Sequence, residues 1–172
     1  MTNEAEPLTL VLVGPMAAGK TSVGRRVARR LGVAFIDTDK RIVATHGPIP
    51  EIFATHGEAH FRDLERAAVR EALAEGGVIS LGGGAVTDPE TRALLRAHPV
   101  VFLTVSEAAV ADRLRGGTRP LLAGEDPLEK WKRIFAERRG WYDEVASATF
   151  DTSRRPMQRI ADEIVAWRRE QR

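Results

Sequence analysis

Cysteine is absent from the 172-residue sequence, which excludes disulfide bonds, zinc–thiolate sites and cysteine nucleophiles. No apolar run approaches the length of about 18 residues that would predict a membrane span. The first seven residues are polar and acidic, without the basic segment and apolar stretch of a secretory signal peptide. We therefore expect a cytoplasmic protein with a short flexible tail over residues 1–7.

The sequence also lacks a large excess of charge of either sign, because it has 26 basic and 24 acidic residues and a formal net charge of +2. The arginine pairs at 25–26, 29–30, 154–155 and 168–169 are scattered among acids, which is typical of solvated helix surfaces. A nucleic-acid partner would require a concentrated basic face. We expect neither a nucleic acid nor a membrane as partner, and the length predicts one domain, 1–172.

Strand and helix patterns alternate along the chain, which predicts a parallel sheet covered by helices on both faces. The predicted fold is a three-layer α/β domain with a five-stranded parallel sheet. Strands are predicted at 8–13, 34–36, 77–81, 99–105 and 148–151. Helices are predicted at 20–31, 38–45, 57–75, 106–114, 127–139 and 156–169, and a further helix is predicted to begin at 88. The irregular, glycine-rich stretch 115–126 is interpreted as a mobile lid.

One motif carries chemistry on its own. The segment 14–21, Gly-Pro-Met-Ala-Ala-Gly-Lys-Thr, matches the phosphate-binding loop G-x-x-x-x-G-K-[ST] between a predicted strand and a predicted helix. Its glycines let the backbone wrap a phosphate, and its N–H groups point at the anion. In this motif Lys20 reaches the β- and γ-phosphates of a nucleotide and the Thr21 hydroxyl binds Mg²⁺.

Large motors and helicases with this loop need a far longer chain, which leaves two broad classes, the nucleotide switch and the small-molecule kinase. A guanine-nucleotide switch would need an Asn-Lys-x-Asp segment, and Asn3 is the one asparagine in the sequence. The length and the arginine-bearing loop at 115–126 favour a small kinase with a closing lid.

The motif set resembles the shikimate kinase family from Leu8 to about Ala166, with six segments in the same order. These are the phosphate loop, Asp37-Thr38-Asp39, Gly57-Glu58 with Phe61, Arg62 and Glu65, Gly82-Gly83-Gly84-Ala85, Arg119-Pro120-Leu121-Leu122, and Arg138 with Tyr142.

The resemblance implies transfer of the γ-phosphoryl group of ATP to the 3-hydroxyl of shikimate, in aromatic amino-acid (chorismate) biosynthesis, by a monomer that uses Mg²⁺. Lys20, Asp39 and Arg119 are the implied catalytic residues, and Mg²⁺ is held by Thr21 directly and by Asp37 through water. The implied ATP-binding residues are Gly14, Ala17, Ala18, Gly19, Lys20, Thr21, Ser22, Arg113, Arg119 and Arg155. The implied shikimate-binding residues are Asp39, Arg62, Glu65, Gly82, Gly83, Gly84 and Arg138, with Arg62 and Arg138 gripping the carboxylate.

Three alternatives stay open in the sequence. The arginine that stacks on adenine is Arg113 or Arg115, and the second carboxylate-binding arginine is Arg138 or Arg139. The related gluconate kinases share the phosphate loop and the topology, although their substrate pattern is not recognisable here. The four histidines are interpreted as surface or turn residues, and the three tryptophans as packing residues.

Overall fold

The computed structural model describes residues 7–115 and 125–172. Residues 1–6 and 116–124 lie outside the described parts, and with them most of the predicted tail, most of the predicted lid and Arg119. Within the described residues the predicted fold is confirmed. Five parallel strands form one sheet in the order β2-β3-β1-β4-β5. They are β1 (Thr9–Val13), β2 (Phe35–Asp37), β3 (Gly77–Ser80), β4 (Val100–Thr104) and β5 (Ala148–Asp151).

Eight α-helices and one 3₁₀ turn connect the strands in the described parts of the chain. They are α1 (Lys20–Leu31), α2 (Thr38–His46), α3 (Ile49–His56), α4 (Glu58–Glu75), the 3₁₀ turn Ala85–Thr87, α5 (Pro89–Leu95), α6 (Glu107–Arg115), α7 (Pro127–Val145) and α8 (Met157–Glu170). No described helix is both long enough and apolar enough to span a membrane.

The sheet buries both of its faces, as the continuous apolar run of β1 predicts. Leu10 and Leu12 belong to the core shared with α1 and α8. Val11 and Val13 lie on the opposite face of the sheet, in a second core that is shared with α4, α5 and α7. A third, small cluster joins α2, α3 and α4 through Ile42, Ile52, Phe61 and Ala68.

Two elements differ from the sequence prediction. Helix α3 was missed because Pro48 and Pro50 suggest a turn, but both prolines occupy the start of the helix, where a missing N–H costs nothing. Helix α7 was predicted to end at Arg139, before Gly140, yet it continues to Val145. Burial of Tyr142 and Val145 in the core outweighs the modest helix penalty of an exposed glycine.

The carboxyl ends of the parallel strands lie at the same edge of the sheet. The phosphate loop follows β1, Asp37 ends β2, the glycines at 82–84 follow β3, and Thr152 follows β5. In open α/β sheets this edge is where ligands bind.

Candidate active site

The phosphate loop, residues 14–19, departs from ordinary backbone geometry at three positions. Gly14, Ala17 and Gly19 have φ angles of 152°, 68° and 88°. A Cβ atom at Gly14 would overlap the Leu103 carbonyl oxygen, so a side chain is excluded there. Ala17 is the one non-glycine residue with positive φ among those described, at a cost of about 1–2 kcal/mol. Such local strain requires surrounding contacts that hold the loop in shape.

Side chains supply those contacts by donating hydrogen bonds to the carbonyl groups of the loop. Lys20 Nζ donates to the carbonyl oxygens of Gly14 (2.7 Å) and Pro15 (3.0 Å). Trp131 Nε1 donates to Met16 O (2.8 Å). Two further side chains complete the set, Arg113 Nη1 to Ala17 O (2.6 Å) and Thr152 Oγ1 to Ala18 O (2.7 Å).

The ammonium group of Lys20 is held at the mouth of this loop. Burial lowers the pKa of Lys20 to about 8, and the neighbouring Arg138 acts in the same direction. The carboxylates of Asp39 and Asp37 oppose the shift. An anion that binds beside such a lysine stabilises its protonated form and raises its pKa.

Two carboxylates stand at the end of β2. Asp37 caps α2 by accepting a hydrogen bond from the Lys40 amide at 3.2 Å. Asp39 lies two residues further, in the first turn of α2, where burial, and secondarily the charge of Asp37, raises its pKa. Within the described part of the chain, Asp39 Oδ1 is buried without a hydrogen-bond partner.

The glycines at 82–84 make room for charged side chains. A Cβ at Gly82 would lie 2.6 Å from both carboxylate oxygens of Asp39, and a Cβ at Gly84 would lie 2.6 Å from Arg62 Nη2. The glycine loop therefore lies between the carboxylate and the guanidinium. Only residues without a side chain allow this approach.

Arg62 is oriented by a buried acid. Its Nη1 donates to Glu65 Oε1 at 2.6 Å, and the Glu65 side chain is 2% exposed. Burial raises the pKa of Glu65 to about 6, although Arg62 opposes the shift. Arg62 Nε is buried and has no acceptor among residues 7–115 and 125–172.

Of the two candidate arginines on α7, the structure brings Arg138 to the site. Arg138 Nη1 is 3.6 Å from the position of a Cβ on Gly83. Arg139 is exposed and faces Asp143 at 3.8 Å. On the same helix Tyr142 donates its hydroxyl to Gly83 O at 2.5 Å, and burial raises the Tyr142 pKa to about 12.

On the nucleotide side, Arg113 contacts the phosphate loop and also donates to Thr152 O at 2.6 Å. Arg115 is 75% exposed and pairs with Asp112. The guanidinium of Arg155 is engaged by Glu163 at 2.5 Å. The structure therefore brings Arg113, but not the Arg115 side chain, to the loop.

The hard oxygen ligands that Mg²⁺ prefers are present at the same edge. The Thr21 hydroxyl belongs to the first turn of α1, directly after Lys20, and Asp37 ends β2, the next element along the chain. No group of three or more histidine, cysteine, aspartate or glutamate side chains is placed to hold a metal in the described residues. A site with few protein ligands fits Mg²⁺, which usually keeps several waters and binds through substrate phosphates.

Sequence reasoning missed the roles of Trp131 and Thr152 at the phosphate loop. Trp131 is also buried against Phe135 at a ring-centroid distance of 5.0 Å, so its interpretation as a packing residue is confirmed but incomplete. Thr152 could have been found, because it follows a predicted strand at the ligand edge. The histidines are surface or turn residues as expected, and the rings of His56 and His60 lie 4.6 Å apart.

Comparison with known proteins agrees with this geometry. The shikimate kinase family model matches residues 16–169. A shikimate kinase of Mycobacterium avium is 50% identical over 148 residues, covering 84% of each chain. The solved shikimate kinase of Acinetobacter baumannii in complex with shikimate has a TM-score of 0.86 at 35% identity, covering 96% of this chain and 95% of that one.

A gluconokinase from Sinorhizobium meliloti shares only the fold, with a TM-score of 0.66 at 24% identity, covering 96% of this chain and 94% of that one. The family model spans most of the sequence, and the M. avium relative is well above 30% identity. The chain therefore belongs to the shikimate kinase family, whose members are ATP-dependent kinases of the shikimate pathway.

Proposed function

We propose that this chain transfers the γ-phosphoryl group of ATP to the 3-hydroxyl of shikimate, giving shikimate 3-phosphate and ADP. One observation carries the choice of acceptor. Asp39 Oδ1 and Arg62 Nε, an acceptor and a donor, are both buried without partners within the described residues. They flank the same glycine loop, and buried polar atoms of this kind require a ligand or water to satisfy them.

A small hydroxy acid supplies both missing partners. Its hydroxyl groups donate to Asp39, and its carboxylate accepts from the guanidinium groups of Arg62 and Arg138. Glu65 holds Arg62 by the 2.6 Å ion pair, so that the guanidinium meets the carboxylate already oriented. The ring of the acceptor lies against Gly82, Gly83 and Gly84, where the backbone has no side chain to exclude it.

The nucleotide binds on the other side of Lys20. With ATP bound, the Lys20 ammonium exchanges the Gly14 and Pro15 carbonyls for the β- and γ-phosphate oxygens. The backbone N–H groups of Gly14, of residues 16–19 and of the start of α1, including Thr21 and Ser22, face the phosphates. Arg113, rather than Arg115, lies at the end of the phosphate loop where adenine binds. Arg155, in the segment between β5 and α8, lies on the opposite side of the adenine site.

Asp39 accepts the proton of the acceptor hydroxyl as phosphoryl transfer proceeds. The raised pKa of Asp39, caused first by burial, brings this carboxylate nearer the operating pH, which favours a general base. Phosphoryl transfer has a loose transition state, so positioning of the hydroxyl matters more than its deprotonation. The assignment of Arg119 to the transferring phosphate stays a prediction from the sequence.

Mg²⁺ bound at Thr21, and at Asp37 through water, would neutralise the charge of the β- and γ-phosphates. We further propose that the chain acts as a monomer in the cytoplasm. Gluconate is the alternative acceptor, but it lacks a ring to lie against the glycine loop.

ADP release, coupled to a reporter enzyme in the presence of Mg²⁺, tests the proposal. We expect release that depends on shikimate, stays at background without an acceptor, and is abolished in Lys20→Ala. Thermal unfolding of Lys20→Ala serves as the control for folding. Shikimate-independent release, or a fully active Lys20→Ala, would contradict the proposal.

A further inference from the structure

We propose that Trp131 and Thr152 are positioning residues for nucleotide binding, because they hold the carbonyls of Met16 and Ala18 and thereby aim the amide groups that follow. The inference rests on the proposed function only in taking residues 14–19 as the nucleotide site. Neither side chain is expected to touch the nucleotide. We call the two hydrogen bonds, Trp131 Nε1 to Met16 O and Thr152 Oγ1 to Ala18 O, the carbonyl clamp.

The argument begins with peptide geometry. A peptide unit is planar and trans, so its C=O and its N–H point in opposite directions. The Met16 carbonyl shares its peptide unit with the Ala17 amide, and the Ala18 carbonyl shares one with the Gly19 amide. Fixing each carbonyl outward therefore fixes the next N–H toward the opposite side, where the anion binds.

The two amides are also free to bind an anion. Neither the Ala17 N–H nor the Gly19 N–H has an acceptor in the described parts of the chain. The Ala18 N–H between them makes a long turn contact with Pro15 O at 3.3 Å. Backbone N–H groups that lack partners in a tight turn form an anion-binding concavity.

Without the clamp the loop would relax toward a less strained backbone conformation. Ala17 and Gly19 both have positive φ, at 68° and 88°, and this conformation is unfavourable for alanine. Rotation of either peptide unit would bring a carbonyl oxygen, a partial negative charge, toward the phosphates. The clamp opposes that rotation from two directions, because Trp131 lies on α7 and Thr152 lies between β5 and α8.

Both clamp residues are themselves enclosed by the core. Thr152 is fully buried and Trp131 is 4% exposed. The indole ring stacks on Phe135, which fixes the direction of its N–H. The 2.8 Å and 2.7 Å lengths are those of well-formed hydrogen bonds.

The test removes each hydrogen bond separately, and in Thr152→Val it also keeps the shape of the side chain. Thr152→Val replaces the hydroxyl by a methyl group, Thr152→Ser keeps the hydroxyl, and Trp131→Phe removes the indole N–H. Matched controls are Thr91→Val, a fully buried threonine on α5, and Trp167→Phe, which packs on Phe150 of β5. ADP and shikimate dissociation constants are measured separately by calorimetry, well below the unfolding temperature of each variant.

We expect Thr152→Val and Trp131→Phe each to weaken ADP binding about tenfold, with shikimate affinity unchanged within twofold. KM for ATP should rise in both, while Thr152→Ser and the two controls stay near wild type. Trp131→Phe is informative even where Thr152→Val fails to fold, and it leaves the Arg113 contacts in place.

ADP affinity at the wild-type level in both clamp variants would overturn the inference. Equal losses for ADP and shikimate, or equal losses in the controls, would overturn it as well, since they indicate a general structural effect. A wild-type chain that binds no ADP would instead refute the nucleotide site itself, so the two failures are distinguishable.

Discussion

Gly82 faces Asp39 so closely that a Cβ atom on the glycine would lie 2.6 Å from both carboxylate oxygens. An alanine at this position must displace Asp39, because carbon and oxygen cannot approach so closely. We therefore expect Gly82→Ala to lower kcat/KM for shikimate by at least about 100-fold, the scale of misplacing a reacting group by an ångström. ATP binding should change little, as measured by calorimetry.

The matched control is Gly140→Ala in α7. Apart from the adjoining backbone of α7, no described atom lies within 4 Å of the Cβ position at Gly140, and its φ is not positive. Replacing a glycine inside an exposed helix should raise the free energy of unfolding by about 0.5–1 kcal/mol without loss of activity. Equal activity in the Gly82 and Gly140 variants would show that the Asp39 contact is unimportant.

Arg62→Lys tests the grip on the carboxylate. Lysine keeps the charge but loses the planar fork that binds a carboxylate with two parallel hydrogen bonds. We expect the shikimate dissociation constant to rise roughly ten- to 100-fold, with ATP affinity unchanged within twofold. Arg66→Lys, which is four residues along α4 and pairs with Asp88, should leave both affinities near wild type. Equal losses for the two ligands would assign Arg62 a structural role.

The lowered pKa of Lys20 predicts that the affinity for nucleotide depends on pH. The free enzyme holds Lys20 at a pKa of about 8, lowered first by burial, with Asp39 and Asp37 opposing and Arg138 assisting. Phosphate oxygens stabilise the charged form, so ADP affinity should fall about tenfold per pH unit above pH 8. Calorimetry in two buffers of different ionisation enthalpy should detect proton uptake on binding. Lys20→Arg stays charged and should lose the dependence, whereas a flat wild-type profile from pH 7 to 9.5 would contradict the assignment.

Glu65 predicts a pH dependence for stability. Its pKa is raised from 4.5 to about 6 in the folded state, so the folded state binds this proton more tightly than the unfolded chain does. The stabilisation is fully present below pH 4.5 and is lost as pH rises through about 6, a decrease of about 2 kcal/mol. Glu65→Gln should remove this contribution, so the wild type should lose about 2 kcal/mol relative to the variant between pH 4.5 and 7. Parallel pH profiles in urea unfolding would contradict the prediction.

The sequence predicts most of the site because its residues lie in short motifs at the carboxyl ends of strands. The phosphate loop, Asp37 and the glycine loop each follow a recognisable strand, and parallel topology then brings them to one edge. The bond from Trp131 to Met16 spans 115 positions and depends on how α7 packs, which no local pattern encodes. The extension of α7 past Gly140 was missed for the same reason, since Tyr142 is held by the core and by Gly83.

Competition between acceptors tests the central claim most directly. The wild-type chain is given equal concentrations of shikimate, gluconate and quinate with limiting ATP and Mg²⁺, and the phosphorylated products are identified by mass spectrometry and ³¹P NMR. The proposed function predicts that shikimate 3-phosphate is the main product, and gluconate, which has no ring to lie against the glycine loop, should stay unmodified. Phosphogluconate or phosphoquinate as the major product would contradict the account.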